Sequence, residues 1–133
     1  MQIGSSPKNI FLISKQGAIP GIKVDRGAKP LAGSMDETVT EGLDGLRERL
    51  KEYFELGARF TKWRAVYKIT EKLPSSQSIK SNAHALARYA SLVQESNMVP
   101  IVEPEVLMDG SHDIDACYKV TTEVLNECYN ELE

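Results

Sequence analysis

The chain has 133 residues, 41% hydrophobic and 26% charged, with 16 basic against 19 acidic side chains for a net charge of −3. That length suits one domain with a sizeable core and falls well short of the roughly 250 residues of a closed eight-unit barrel. No block of like charge reaches five residues and no apolar run approaches about 18, which argues against a nucleic-acid footprint, a polybasic membrane patch and a spanning helix.

The first residues, Met1 to Pro7, lack a basic n-region and a long apolar stretch, so a soluble cytoplasmic protein without a secretory leader is expected. Met1 to Lys8 reads as irregular and Asn9 to Lys15 as a short helix or strand, giving an N-terminal segment over residues 1–16 and one domain over 17–133. Pro20 to Asp25 is the first predicted strand. A first amphipathic helix is predicted from Thr40 to Leu56, with Leu43, Leu46, Leu50, Tyr53 and Phe54 as its stripe and Gly57 closing it. Ala58 to Val66 is the second strand, rich in aromatic and β-branched residues. A second helix starts at Ser75 or Ser76, buries Ile79, Ala83, Leu86, Ala90 and Val93, and ends at Asn97. Met98 to Glu105 is the third strand. Asp113 caps a third helix carrying Ile114, Cys117, Thr121, Val124, Leu125 and Cys128. Cys117 and Cys128 share a helix face about 16 Å apart, beyond disulfide reach, and read as packing groups.

The order strand, helix, strand, helix, strand, helix calls for a parallel sheet of about three βα units. Strands covered on both faces should be almost wholly apolar. These are not. Lys23 and Asp25 share one face of the first strand, Lys62 and Arg64 one face of the second, and Glu103 and Glu105 one face of the third. The intervals from Lys23 to Lys62 and from Lys62 to Glu103 are 39 and 41 residues (62−23 and 103−62). Six charges buried singly would be costly. Converging at the carboxyl end of a parallel sheet, where α/β folds place their sites, they pair acid with base. The cations suit an anionic substrate such as a sugar phosphate, and a glutamate among them can move protons.

Other features carry less. His84 reads as a helix-surface residue, His112 as a loop or capping residue, and Trp63 as a core anchor behind the second strand. Gly42 and Gly45 fall on the first predicted helix, where they permit close packing rather than cradle phosphate. There is no zinc spacing, Walker loop or dinucleotide fingerprint, so no cofactor or metal is expected.

The three strands also carry a family resemblance. Gly21-Ile22-Lys23-Val24-Asp25-Arg26-Gly27, Pro30-Leu31-Ala32-Gly33, Gly42-Leu43-Asp44-Gly45-Leu46, Lys62-Trp63-Arg64-Ala65-Val66, Leu86-Ala87-Arg88-Tyr89-Ala90 and Val99-Pro100-Ile101-Val102-Glu103-Pro104-Glu105 resemble the class I fructose-bisphosphate aldolases, in order, from about Gly17 onward. The resemblance implies part of a (β/α)8 barrel, its third to fifth strands. It implies reversible cleavage of fructose 1,6-bisphosphate to dihydroxyacetone phosphate and glyceraldehyde 3-phosphate in glycolysis, through a lysine Schiff base and without metal. Glu103 would then be the general acid/base. Lys62 would bind substrate and stabilise charge, and Glu105 would tune Lys62. Lys23 and Arg64 would contact substrate oxygens or phosphate, with Asp25 beside them in the substrate-binding set.

The family's Schiff-base lysine sits in a Leu-Leu-Lys-Pro-Asn-like motif on a following strand, and none of Lys68, Lys72, Lys80 or Lys119 has a matching context. The 133-residue chain alone is therefore expected to be inactive, since the electrons released by carbon–carbon cleavage have no iminium to enter. The competing reading is a non-catalytic module that binds sugar phosphates or assembles with another chain. Expected partners are fructose 1,6-bisphosphate and either a second copy or a complementary aldolase chain, with no nucleic acid or membrane.

Overall fold

The computed structural model describes residues 12–133. The expectations for Met1 to Lys8, and for the start of the Asn9 to Lys15 segment, lie outside the described residues; residues 12–15 are helical. In chain order there follow strands β1 (Gly21–Lys23), β2 (Ala28–Pro30) and β3 (Thr38–Thr40), helix α1 (Leu46–Glu55), strand β4 (Phe60–Tyr67), helix α2 (Ser76–Glu95), strand β5 (Val99–Val106) and helix α3 (Ile114–Leu132).

The alternation does produce a parallel sheet. Its three strands run in the order β1-β4-β5. β4 pairs with β5 along its whole length, from Phe60 opposite Val99 to Tyr67 opposite Val106, while β1 pairs only from Gly21 opposite Phe60 to Lys23 opposite Lys62.

The sheet is covered on one side. Along β4 the odd-numbered residues Thr61, Trp63, Ala65 and Tyr67 are buried, whereas Lys62 and Val66 are half-buried and Arg64 is exposed. Trp63, Ala65 and Tyr67 join Leu46 and Leu50 of α1, Ile79, Ala83, Leu86, Tyr89 and Val93 of α2, and Val124 and Cys128 of α3 in one core cluster. Trp63 lies at its centre, fully buried, with its ring 5.3 Å from that of Tyr89. The Tyr89 hydroxyl bonds Thr61 Oγ1 at 2.6 Å and donates to Ile101 O at 3.3 Å; burial pushes this phenol up to about 12, so it stays neutral. α2 begins as its sequence signals require: Ser75 is the N-cap, accepting from Ser78 N–H at 3.2 Å, and Asn97 follows the helix in a left-handed conformation.

The stretch between β1 and α1 departs from expectation. β2 and β3 form an antiparallel hairpin, with Ala28 opposite Thr40 and Pro30 opposite Thr38. Thr40 is thus in a strand, not at the start of a helix, and α1 begins six residues later at Leu46 (46−40). The local chemistry accounts for this. Thr38-Val39-Thr40 is a β-branched run, and Gly42 and Gly45 interrupt any helix before Leu46. Gly42 lies in the loop at φ 136°, where an added Cβ would stand 2.9 Å from the Arg26 amide nitrogen. Close packing was the right role for it, on the wrong element. Arg49 of α1 closes the loop by donating to Val24 O at 2.9 Å and to Gly42 O.

α3 starts as predicted, with the Asp113 carboxylate accepting from Ala116 N–H at 2.9 Å. Only part of its expected stripe is buried. Val124 and Cys128 are in the core, but Ile114 is 79% exposed and Leu125 39%. Among the described residues β5 has no neighbour on its outer side, so nothing covers the outer half of α3's stripe. The cysteines are free, as their spacing predicted. No described helix is long and apolar enough to cross a membrane.

Candidate active-site face

The side of the sheet away from the core cluster carries five of the six charges singled out from the sequence, on β1, β4 and β5; Asp25 lies just past the end of β1, and the six form three ion pairs. Lys23 pairs with Asp25. Lys62 Nζ lies 2.8 Å from Glu103 Oε2, and Arg64 Nη1 lies 3.0 Å from Glu105 Oε2. The last two pairs cross from β4 to β5 on the diagonal: Lys62 is level with Ile101 and Arg64 with Glu103, so each cation reaches the carboxylate two residues further along. The Lys62–Glu103 contact is Coulombic in kind, because Glu103 Oε2 has no aligned hydrogen bond.

Glu105, which the resemblance implies would tune Lys62, pairs directly with Arg64, and Glu103 takes Lys62. The cause is the parallel register. Glu105 stands level with Val66, four residues beyond Lys62 (66−62), and Arg64 lies nearer.

Asp25 differs from the other carboxylates in burial. Its side chain is 2% exposed, against 31% for Glu103 and 37% for Glu105. It accepts from Lys23 Nζ, from Gly27 N–H at 3.0 Å and from Arg64 N–H at 3.4 Å. Asp25 thus fixes the Lys23 ammonium and the turn that follows β1. Half-exposed ion pairs such as those of Lys62 and Arg64 contribute only about 0–1 kcal/mol each to stability. Stability alone therefore gives little reason to place three cations and three carboxylates on one sheet face.

Other side chains lie where the sequence placed them. His84 is on the exposed side of α2 and pairs with Glu131 at 2.9 Å. A cleft of about 500 Å³ opens there, among α1, α2 and the end of α3, lined in part by Arg47, His84, Arg88 and Glu131. It includes none of the six charges. Their face is an open sheet surface. No group of three or more metal-ligating side chains assembles among the described residues.

Sequence reasoning missed three buried polar residues behind this face. Glu37, between β2 and β3, is 7% exposed and accepts from Ser34 Oγ at 2.5 Å, Ser75 N–H at 2.7 Å and Ser75 Oγ at 2.6 Å. Burial alone would raise its pKa; the serine hydrogen bonds outweigh that and hold it below the usual carboxylate value. Thr40 and Asn82 are 3% and 1% exposed. The signal for Asn82 was its position: it lies three residues after Ile79 and four before Leu86 (86−82), on the apolar stripe of α2, where an amide must find hydrogen-bond partners.

A parallel sheet crossed by helices, with three acid–base pairs along it, defines part of an α/β fold. Comparison with known proteins gives the family. The family model for fructose-bisphosphate aldolase class-I matches residues 4–133, beginning upstream of Gly17, and the chain belongs to that family. It is 62% identical over 120 residues to a probable fructose-bisphosphate aldolase class 1 of Xanthomonas axonopodis pv. citri, covering 90% of this chain and 36% of that protein. It is 56% identical over 123 residues to the cytosolic fructose-bisphosphate aldolase 6 of Arabidopsis thaliana, covering 92% of this chain and 34% of that one. Among solved structures, a Plasmodium falciparum fructose-bisphosphate aldolase, crystallised with TRAP and a small-molecule inhibitor, superposes with a TM-score of 0.89 at 47% identity, over 93% of this chain and 36% of that one. The chain thus spans about a third of the length of the relatives it matches. Its strands and helices are part of the (β/α)8 barrel that the resemblance implied.

Proposed function

We propose that the β1-β4-β5 face is the substrate-binding and proton-transfer sector of a class I fructose-bisphosphate aldolase. The observation that carries this reading is the 2.8 Å contact between Lys62 and Glu103, flanked by the Arg64–Glu105 and Lys23–Asp25 pairs. Lys23, Lys62 and Arg64 hold the phosphate and hydroxyl oxygens of fructose 1,6-bisphosphate, and Asp25 orients Lys23. In the cleavage direction the bond between C3 and C4 breaks. Glu103 takes the proton of the C4 hydroxyl as that oxygen becomes the carbonyl of glyceraldehyde 3-phosphate. The bonding electrons pass to the dihydroxyacetone phosphate half, where an iminium must receive them. Lys62 lowers the cost of the negative charge that develops beside Glu103.

No lysine of this chain stands in the family's Schiff-base context, so the 133 residues alone do not turn over. The test is borohydride trapping with dihydroxyacetone phosphate, followed by a retro-aldol assay. The purified chain gives no covalent adduct and no cleavage; mixed with a polypeptide supplying the lysine-bearing strand, it gives both. An adduct on the chain alone, with turnover, would refute this assignment of labour.

A second reading has its own support. Among the described residues β5 has an unpaired outer edge, and Ile114, Tyr118 and Tyr129 of α3 are 79%, 74% and 66% exposed. Such a surface suits a chain that assembles with a complementary aldolase segment or a second copy and binds sugar phosphate without cleaving it. Sedimentation of the chain with and without the complementary polypeptide separates the two readings. The cytosol is the proposed location, on the strength of the cytosolic plant relatives.

A further inference from the structure

β1 leaves the sheet early. Val24 N–H still donates to Lys62 O at 3.0 Å, but the chain then turns aside: Arg26 N–H donates to Glu41 O at 2.8 Å and Glu41 N–H to Gly27 O at 3.1 Å. Continued parallel pairing would have satisfied the next peptide groups of β4 from the backbone of β1. Two side chains take its place, and both act on Arg64. The Asp25 carboxylate accepts from Arg64 N–H at 3.4 Å, and the Thr40 hydroxyl donates to Arg64 O at 2.7 Å. Thr40 is held in turn. Its N–H donates to Asn82 Oδ1 at 3.0 Å, and the Asn82 amide donates to Thr38 O at 2.9 Å and Ser78 O at 3.0 Å. Both side-chain ends of this buried asparagine are therefore engaged, and they join the hairpin to α2.

We propose that Thr40, held by Asn82, is a positioning residue for Arg64 and Asp25. The peptide planes on either side of a strand residue set the direction of its Cα–Cβ bond. Fixing the Arg64 carbonyl therefore fixes where the guanidinium starts toward Glu105 and how closely Asp25 approaches the Arg64 amide. The same hairpin backbone that carries Thr40 pairs with Arg26 and Gly27, directly after Asp25. One hydroxyl thus sets the relative placement of a cation on β4 and a carboxylate in the turn that follows β1. This inference rests on reading the charged face as a sugar-phosphate site.

The test compares Thr40→Val, which removes the hydroxyl at nearly constant shape, with Thr40→Ser, which keeps it, both in the 133-residue chain. Two quantities are measured. The first is the amide signal of Arg64 by NMR, as its chemical shift and as its hydrogen-exchange rate. The second is the Kd for fructose 1,6-bisphosphate by calorimetry. Thr40→Val is expected to move the Arg64 amide resonance, to speed its exchange about 5- to 10-fold, and to weaken binding by a similar factor. Thr40→Ser is expected to restore all three. If Thr40→Val lacks the circular dichroism of the unsubstituted chain, Thr40→Ala carries the same expectations. An unchanged Arg64 exchange rate with Kd within about twofold overturns the proposal, as does a Thr40→Ser chain as impaired as Thr40→Val. If the unsubstituted chain binds no fructose 1,6-bisphosphate, the sugar-phosphate reading is what fails, and the Arg64 amide alone then decides the clamp.

Discussion

Lys62 and Glu103 stand on adjacent parallel strands, two register steps apart, with Nζ and Oε2 separated by 2.8 Å. The pair is 41% and 31% exposed, so water screens most of its Coulomb energy. Its worth to folding is small; on the proposed reading its worth to an anionic ligand is larger, because a bound phosphate would displace that water. Lys62→Met is therefore expected to shift unfolding by less than about 1 kcal/mol while weakening fructose 1,6-bisphosphate binding about tenfold or more. Thermal melts beside calorimetric titrations check this. A large loss of stability with unchanged affinity would make the pair structural.

Glu37 gives the opposite expectation. It is buried, with its carboxylate bonded by Ser34 and Ser75, and it joins the β2–β3 turn to the N-terminus of α2. Its pKa is lower in the folded chain than in the unfolded one. Below the unfolded value the unfolded state takes up a proton that the native carboxylate resists, so stability falls as pH drops from the ordinary carboxylate value through the lower folded value. Above that window the contribution is complete and flat. Glu37→Gln should cost about 1.5–3 kcal/mol at neutral pH and lose part of the acid dependence. Urea unfolding of both chains across the acid range measures it; parallel pH profiles would remove Glu37 from the account.

The parallel sheet and the charged face were legible because each depends on a local pattern. Alternation within Lys62 to Ala65 places two charges opposite two apolar residues whatever the rest of the chain does. Which acid meets which base was not legible, since that depends on the register between β4 and β5, and register is a tertiary quantity. The hairpin was missed for another reason. Its strands have three residues each, too few for a period-two signal, although Thr38-Val39-Thr40 carried the β-branched hint. Thr40 and Asn82 owe their importance to the point where β1 leaves the sheet, and nothing in the composition of either neighbourhood marks that point.

The two cysteines should differ sharply toward thiol reagents. Cys117 is half-buried, whereas Cys128 is buried in the core and its thiol is pushed up to about 11 by burial and by Glu127. The thiolate is the reactive form. At pH 8 Cys128 is ionised to about one part in a thousand and is sterically shielded as well. Titration of the native chain with a chromogenic disulfide should show one fast equivalent, the second appearing only on denaturation. Two fast equivalents would show that α3 separates readily from α2.

Trp63 gives the clearest test of the core. It is fully buried on β4, with its ring tilted against Tyr89 of α2, and its neighbours in the same cluster come from all three helices. Removing it leaves a cavity between sheet and helices, beside Ala65, the next inward residue of β4. Trp63→Ala should therefore destabilise by about 3–5 kcal/mol, and Trp63→Phe by less because most of the ring contact survives. Among the described residues the outer edge of β5 is unpaired, and a loss of that size is a large share of a small domain's stability. Near-ultraviolet circular dichroism and urea titration would detect it. Wild-type stability in Trp63→Ala would mean that the helices do not pack on this sheet as the buried cluster places them.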